Sequence, residues 1–146
     1  MLRVINYIMS IIKVRKEKKE VLIIENRFQS LEFMKNALCH RYRSLIAQDK
    51  EEGLTKARLY TPSLIILNIR LYKEGTLSLC AALRSFYETR NIPILMIADK
   101  ADDSSIKEFD KYKIEGFLIE PFSKQEILVE VKLALLRRDR QNRELS

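Results

Sequence analysis

Between Glu20 and Leu136 the chain alternates short apolar runs with stretches whose apolar residues recur at helical spacing. Val21-Leu22-Ile23-Ile24 is a continuous run rich in β-branched side chains, the pattern of a strand buried on both faces. Phe28, Leu31, Met34, Ala37 and Leu38 then return every three or four positions, which predicts a helix ending near Cys39. Ser44-Leu45-Ile46-Ala47 is a weaker strand. Leu54, Ala57 and Leu59 mark a helix that must stop before Pro62, because the residue preceding a proline is pushed out of the helical region. Leu64-Ile65-Ile66-Leu67 is a third strand, and beyond Gly75 a helix carries Leu79, Ala82, Leu83 and Phe86. Pro93 opens a fourth strand, Ile94-Leu95-Met96-Ile97, and Ser104 or Ser105 caps a short helix bearing Ile106 and Phe109. Gly116 precedes a fifth strand, Phe117-Leu118-Ile119, and Ser123 with Glu126 has capping-box spacing for the last helix.

Such a βα alternation predicts an α/β fold, an open parallel sheet with right-handed crossovers and helices on both faces. In sheets of this kind, ligands and chemistry sit at the carboxyl ends of the strands, near the topological switch point. Those ends are Glu25-Asn26 after strand one, Asn68 after strand three, Ala98-Asp99 after strand four and Glu120 after strand five. Together they form the candidate site.

Length and composition narrow the picture. The 146 residues support one domain with short tails, divided as a basic amphipathic extension (1–19), the α/β domain (20–137) and a basic tail (138–146). At 47% hydrophobic and 32% charged, the chain is expected to be globular rather than disordered. The net charge of +7 is carried by the ends: residues 1–19 contribute +5, residues 137–146 contribute +2, and the span between them is balanced at 17 basic and 17 acidic side chains. A neutral body gives no reason to expect nucleic-acid binding, and the basic ends point to an anionic membrane or an acidic partner. Residues 1–14 are apolar apart from the stripe Arg3, Asn6, Ser10 and Lys13. They are too short to span a bilayer and lack a small-residue cleavage site, so a cytoplasmic location is expected. Three readings of this segment stand: a helix docked in a groove, a helix on a membrane surface, or an over-called start with Met9 beginning the chain.

Cys39 and Cys80 have no CxxC spacing, and His40 has no partner at defined spacing. No disulfide, metal centre or Cys-His pair is expected. The chain has no GxGxxG, P-loop or nucleophile elbow, and its strand-end loops are poor in glycine, so no phosphate-cradling cofactor is expected.

The strand-end spacings, Pro93 at the start of strand four, and the phrase Gly116-Phe117-Leu118-Ile119-Glu120-Pro121-Phe122 carry a resemblance. Over residues 20–137 the chain resembles the receiver domain of bacterial response regulators, which implies a flavodoxin-like five-stranded parallel sheet in the order 2-1-3-4-5. The resemblance also implies a place in two-component or chemotaxis-like signalling. An active member of that family needs an acidic pair for Mg²⁺, a phosphate-accepting aspartate, a Ser/Thr and a lysine at the strand ends. Here those positions hold Glu25-Asn26, Asn68, Ala98 and Glu120. A carboxamide is no carboxylate nucleophile, so no acyl phosphate forms at Asn68. Glu120 puts negative charge where the family clamps phosphoryl oxygens with a cation. Tyr72 stands where a proline is usual, and Gly75 comes about one residue early against the family's loop.

These departures predict a pseudo-receiver, not an enzyme, that acts as a protein-interaction or adaptor module. Arg70 is a candidate to pair with Glu25 or Glu120 and fill the space of metal and phosphate. Ile127, Leu128, Val131, Ala134 and Leu135 form one stripe of the last helix, and Val129, Leu133 and Leu136 form a second. The family's partners and dimers dock on the domain's fourth helix, fifth strand and fifth helix. The second stripe, with Ile106, Phe109 and Phe117, is therefore the expected protein or homodimer interface, unless the N-terminal segment covers it. Phe117 takes the place of the family's rotating aromatic and is expected to be a static packed ring. Two rival functions are a small-ligand or metal sensor built on Glu25, Asp99 and Glu120, and a membrane-surface adaptor using the basic N-terminus.

Overall fold

Each apolar run becomes a strand, and the hydrogen-bonded order is β2-β1-β3-β4-β5, all parallel. A computed structural model of the chain describes residues 1–14, 17–69, 75–99 and 104–145. An N-terminal helix α1 (Leu2–Val14) precedes β1 (Lys19–Ile24), α2 (Phe28–Leu38), β2 (Tyr42–Ala47), α3 (Lys50–Tyr60) and β3 (Leu64–Asn68). The chain continues with α4 (Gly75–Ser85), β4 (Ile94–Ala98), a 3-10 helix (Ser104–Tyr112), β5 (Gly116–Ile119) and α5 (Lys124–Leu145).

Alternation along the strands divides the core in two. Val21, Ile23, Leu64, Ile66, Leu95, Ile97 and Leu118 face α2 and α5. Leu22, Ile24, Ile65, Leu67, Ile94 and Met96 face α3, α4 and the 3-10 helix. With both faces covered, the central strands are apolar at nearly every position. Gly53 of α3 lies so near β1 that an added Cβ would stand 2.7 Å from Ile24 Cδ1. That close approach seats α3 on the sheet.

Local sequence sets the helix ends. Asp49 caps α3 by accepting from the Glu52 amide at 2.8 Å. The helix closes at Thr61, whose left-handed φ of 43° lets its N–H reach Ala57 O before Pro62. Ser123 and Glu126 exchange both capping-box hydrogen bonds at the start of α5.

Two expectations are corrected. The segment beginning at Arg138 is not a tail: α5 runs unbroken to Leu145, and Arg138 is buried. Phe109, expected at a docking surface, is 1% exposed within the core. In a 3-10 helix residues three apart eclipse one another, so Phe109 and Tyr112 share one stripe, and that stripe packs on the sheet. In the N-terminal segment, Met1–Ser10 are all exposed. No helix among the described residues is long and apolar enough to cross a membrane.

Candidate functional site

Parallel register brings the strand ends to one edge: Ile24 lies beside Ala47 and Leu67, Asn68 beside Ile97, and Ala98 beside Ile119. Glu25, Asn68 and Glu120 therefore converge there. Glu25 and Asn68 are each 1% exposed, and Glu120 is partly buried. Asn68 Nδ2 donates to Glu25 Oε2 at 2.7 Å and lies 3.5 Å from Glu120 Oε1. Ala98 is buried at the end of β4 and offers no hydroxyl. Asn26 is exposed, one residue past the buried carboxylate.

Among the described residues, the cation bonded to this cluster is Arg27. Its Nε donates to Glu25 Oε1 at 2.9 Å, its backbone N–H to the same oxygen at 3.0 Å, and its Nη2 to Glu120 Oε1 at 2.5 Å. Bonds to Glu120 and then to Glu25 hold the guanidinium well above its ordinary pKa. Both oxygens of Glu25 are thus engaged by groups of the protein itself. The guanidinium bridges strand-one and strand-five ends that are 93 to 95 residues apart in sequence. Arg70, the candidate from sequence for this pairing, lies outside the described residues. The signal for Arg27 was its position two residues past Glu25, where a residue's backbone amide and side chain can both turn back to a carboxylate.

A parallel sheet of this order, with its site at the strand ends, is also the geometry to which known proteins point. The family model for the response regulator receiver domain matches residues 21–132. The chain belongs to the receiver family. The hybrid signal transduction histidine kinase D of Dictyostelium discoideum is 29% identical over 114 residues, covering 78% of this chain and 7% of that protein. The response regulator ArlR of Staphylococcus aureus is 28% identical over 123 residues, covering 84% of this chain and 54% of ArlR. This receiver thus spans about half of ArlR and a small part of the hybrid kinase. The crystal structure of the chemotaxis response regulator CheY4 of Vibrio cholerae superposes with a TM-score of 0.75, covering 81% of this chain and 99% of that one. At 20% identity, that likeness shows a shared fold.

The receiver fold implies Mg²⁺ at this edge, and the residues present do not fit it. Magnesium takes near-octahedral oxygen ligands and relies on one or two carboxylates. Here the buried carboxylate already accepts three hydrogen bonds, two from a cationic residue and one from the amide at position 68. A divalent cation would have to displace a guanidinium bonded to both carboxylates. Among the described residues, no group of three His, Cys, Asp or Glu side chains gathers to hold a metal. Asp99, named for the sensor reading, is half-buried at the end of β4.

Beside the cluster lies a cleft of about 420 Å³ lined by Gln29, Ser30, Phe33, Glu120, Pro121 and Phe122. Phe33 and Phe122 meet edge-to-face at 5.8 Å, and the Glu120–Pro121 peptide is cis.

On α5 the two stripes separate as their spacing requires. Ile127, Val131 and Ala134 are fully buried and Leu135 nearly so, whereas Val129 and Leu136 are 54% and 52% exposed and Leu133 is half-buried. Phe117 is half-buried and packs against the core. The side chain of Ile106 lies outside the described residues.

Proposed function

We propose that this receiver domain of two-component signalling does not accept phosphate and acts by being bound. The observation that carries the reading is the Arg27 bridge between Glu25 and Glu120, closed beneath by the Asn68 amide. An active receiver supplies a carboxylate nucleophile and a metal; this one presents an amide and a fixed internal cation in their place. The cluster's charges are satisfied by side chains, so the fold holds one arrangement without a phosphoryl group to trigger another. Acetyl phosphate with Mg²⁺ is expected to leave the mass of the intact protein unchanged. A base-labile gain of one phosphoryl group would overturn the proposal.

The binding face is the outer stripe of α5. Val129, Leu133 and Leu136 leave an apolar strip beside Glu130 and Arg137, so acidic and basic groups flank the same patch. Such a face is complementary to itself across a two-fold axis, and its occupant is a second copy of the chain. Sedimentation is expected to show a concentration-dependent dimer that Leu136→Asp abolishes. A protein that stays monomeric across the concentration range would reject the homodimer.

A second reading rests on α1, whose Leu2, Val4, Ile5, Ile8 and Met9 are 49% to 77% exposed. An apolar helix followed by basic residues suits the surface of an anionic bilayer. Co-sedimentation with phosphatidylserine vesicles, lost on deleting residues 1–19, is the expected result. Equal binding by the deleted chain would exclude it.

A further inference from the structure

At the opposite edge of the sheet, where the strands begin, a second buried charge cluster has the reverse balance. Glu115, 8% exposed and just ahead of β5, accepts the Ile94 N–H through Oε2 at 2.7 Å. Two guanidiniums face it. Arg138 Nη2 donates to Oε1, and Arg84 Nη2 lies 3.5 Å from Oε2. Arg84 is otherwise satisfied by backbone, donating to the carbonyls of Tyr112, Ile92, Arg90 and Lys113 at 2.6 to 3.2 Å. Arg138 is not: it is 7% exposed, and its Nε has no hydrogen-bond partner. Burial, and after it the charge of Arg84, pull Arg138 down to about 10, so it remains a cation at neutral pH.

Both guanidiniums line a cleft of about 660 Å³ between α5, the start of β4 and the end of the 3-10 helix. Arg90, Lys111 and Lys113 add positive charge at its wall, and among the described residues Glu144 is the one acidic residue lining it. The five cationic residues stand out in a chain whose middle span is electrically balanced. A buried charge without full pairing is costly unless a counter-charge arrives, and a concave low-dielectric wall concentrates the field that draws one in.

We propose that this cleft is a binding site for a compact phosphate-bearing anion, with Arg138 as its floor and Lys111 and Lys113 as its rim. Arg138, held against Glu115, supplies fixed positive charge beneath the cleft, and the lysines supply mobile point charges to a ligand carrying more than one phosphate. The site is separate from the Glu25–Asn68–Glu120 edge and is independent of how that edge behaves.

The test titrates the full chain with inorganic pyrophosphate and with ADP, following backbone amide resonances against sodium chloride at matched ionic strength. Saturable shifts confined to residues 84–92, 111–113 and 138–142 are expected. A response to both probes assigns the site to phosphate itself, and a response to ADP alone assigns it to a nucleotide; either supports the site. The double variant Lys111→Ala/Lys113→Ala, which leaves the buried cluster intact, is expected to weaken binding at least tenfold, and Arg138→Gln to abolish it. Shifts that merely follow ionic strength, or binding unchanged in the lysine double variant, would overturn the proposal.

Discussion

The two edges of the sheet solve the same problem with opposite arithmetic. At the carboxyl edge, two carboxylates, Glu25 and Glu120, share the guanidinium of Arg27, and the Asn68 amide supplies a further donor. At the amino edge, one carboxylate, Glu115, faces the guanidiniums of Arg84 and Arg138. Where a fold of this family is built to receive a cation and a phosphoryl group, the chain has installed its own cation. Where the family resemblance implies nothing, it leaves positive charge in excess. The charge balance of one edge is thus no guide to what the other can bind.

The largest effect should come from removing the shared carboxylate. Glu115→Gln deprives the buried Arg138 and the partly buried Arg84 of their counter-charge, and breaking such a pair from one side costs about 3–5 kcal/mol. Urea denaturation should show that loss, while Glu20→Gln, removing a partly exposed pair with Arg43, should cost under about 1 kcal/mol. Equal costs would mean that the amino-edge cluster is no more than surface electrostatics.

Asn68→Asp probes the other edge and should cost about 2–3 kcal/mol at neutral pH. It replaces an amide donor 2.7 Å from Glu25 with a second carboxylate. A carboxylate forced against another keeps its proton to higher pH when folded than when unfolded, so the variant should regain stability as pH falls. Thermal unfolding at pH 7 and pH 5 checks this. A variant as stable as the parent at pH 7 would mean that the pocket rearranges freely around residue 68.

The smallest effect belongs to the core between the two edges. Burial raises the Cys80 thiol to about 12 from 9.0, and burial raises Tyr42 as well. A raised folded-state value means that stability is complete below the unfolded pKa and falls as pH climbs from about 9 toward 12. By pH 9.5 the loss from Cys80 is on the order of 1 kcal/mol. Denaturation midpoints at pH 8 and 9.5 should differ less in Cys80→Ala than in the parent. An identical pH dependence would place the thiol in contact with water.

Much of the fold was legible because period and punctuation agree. Buried parallel strands must be apolar throughout, helices on them must repeat every three or four residues, and Pro62, Pro93 and the Ser123–Glu126 box mark where elements change. The strand-end residues of the site were legible for the same reason, since a parallel sheet sends every carboxyl end to one edge. The partner of those residues was not. A guanidinium reaches far, and only the packed chain shows Arg27 spanning from Glu25 to Glu120. Phe109 was misplaced because spacing shows which side chains share a stripe of a short helix, not whether that stripe faces the sheet or the surface.

By itself, then, the amino-acid sequence determined the βα order, the two stripes of α5 and the absence of a nucleophilic carboxylate at position 68, because these are local or periodic properties. Tertiary structure alone decided that Arg27 bridges Glu25 and Glu120, that α5 carries Arg138 inward, and that Arg84, Glu115 and Arg138 meet. Those pairings join residues 23 to 93 positions apart, and the energy of a charge depends on its neighbours and its burial, which no window of sequence contains.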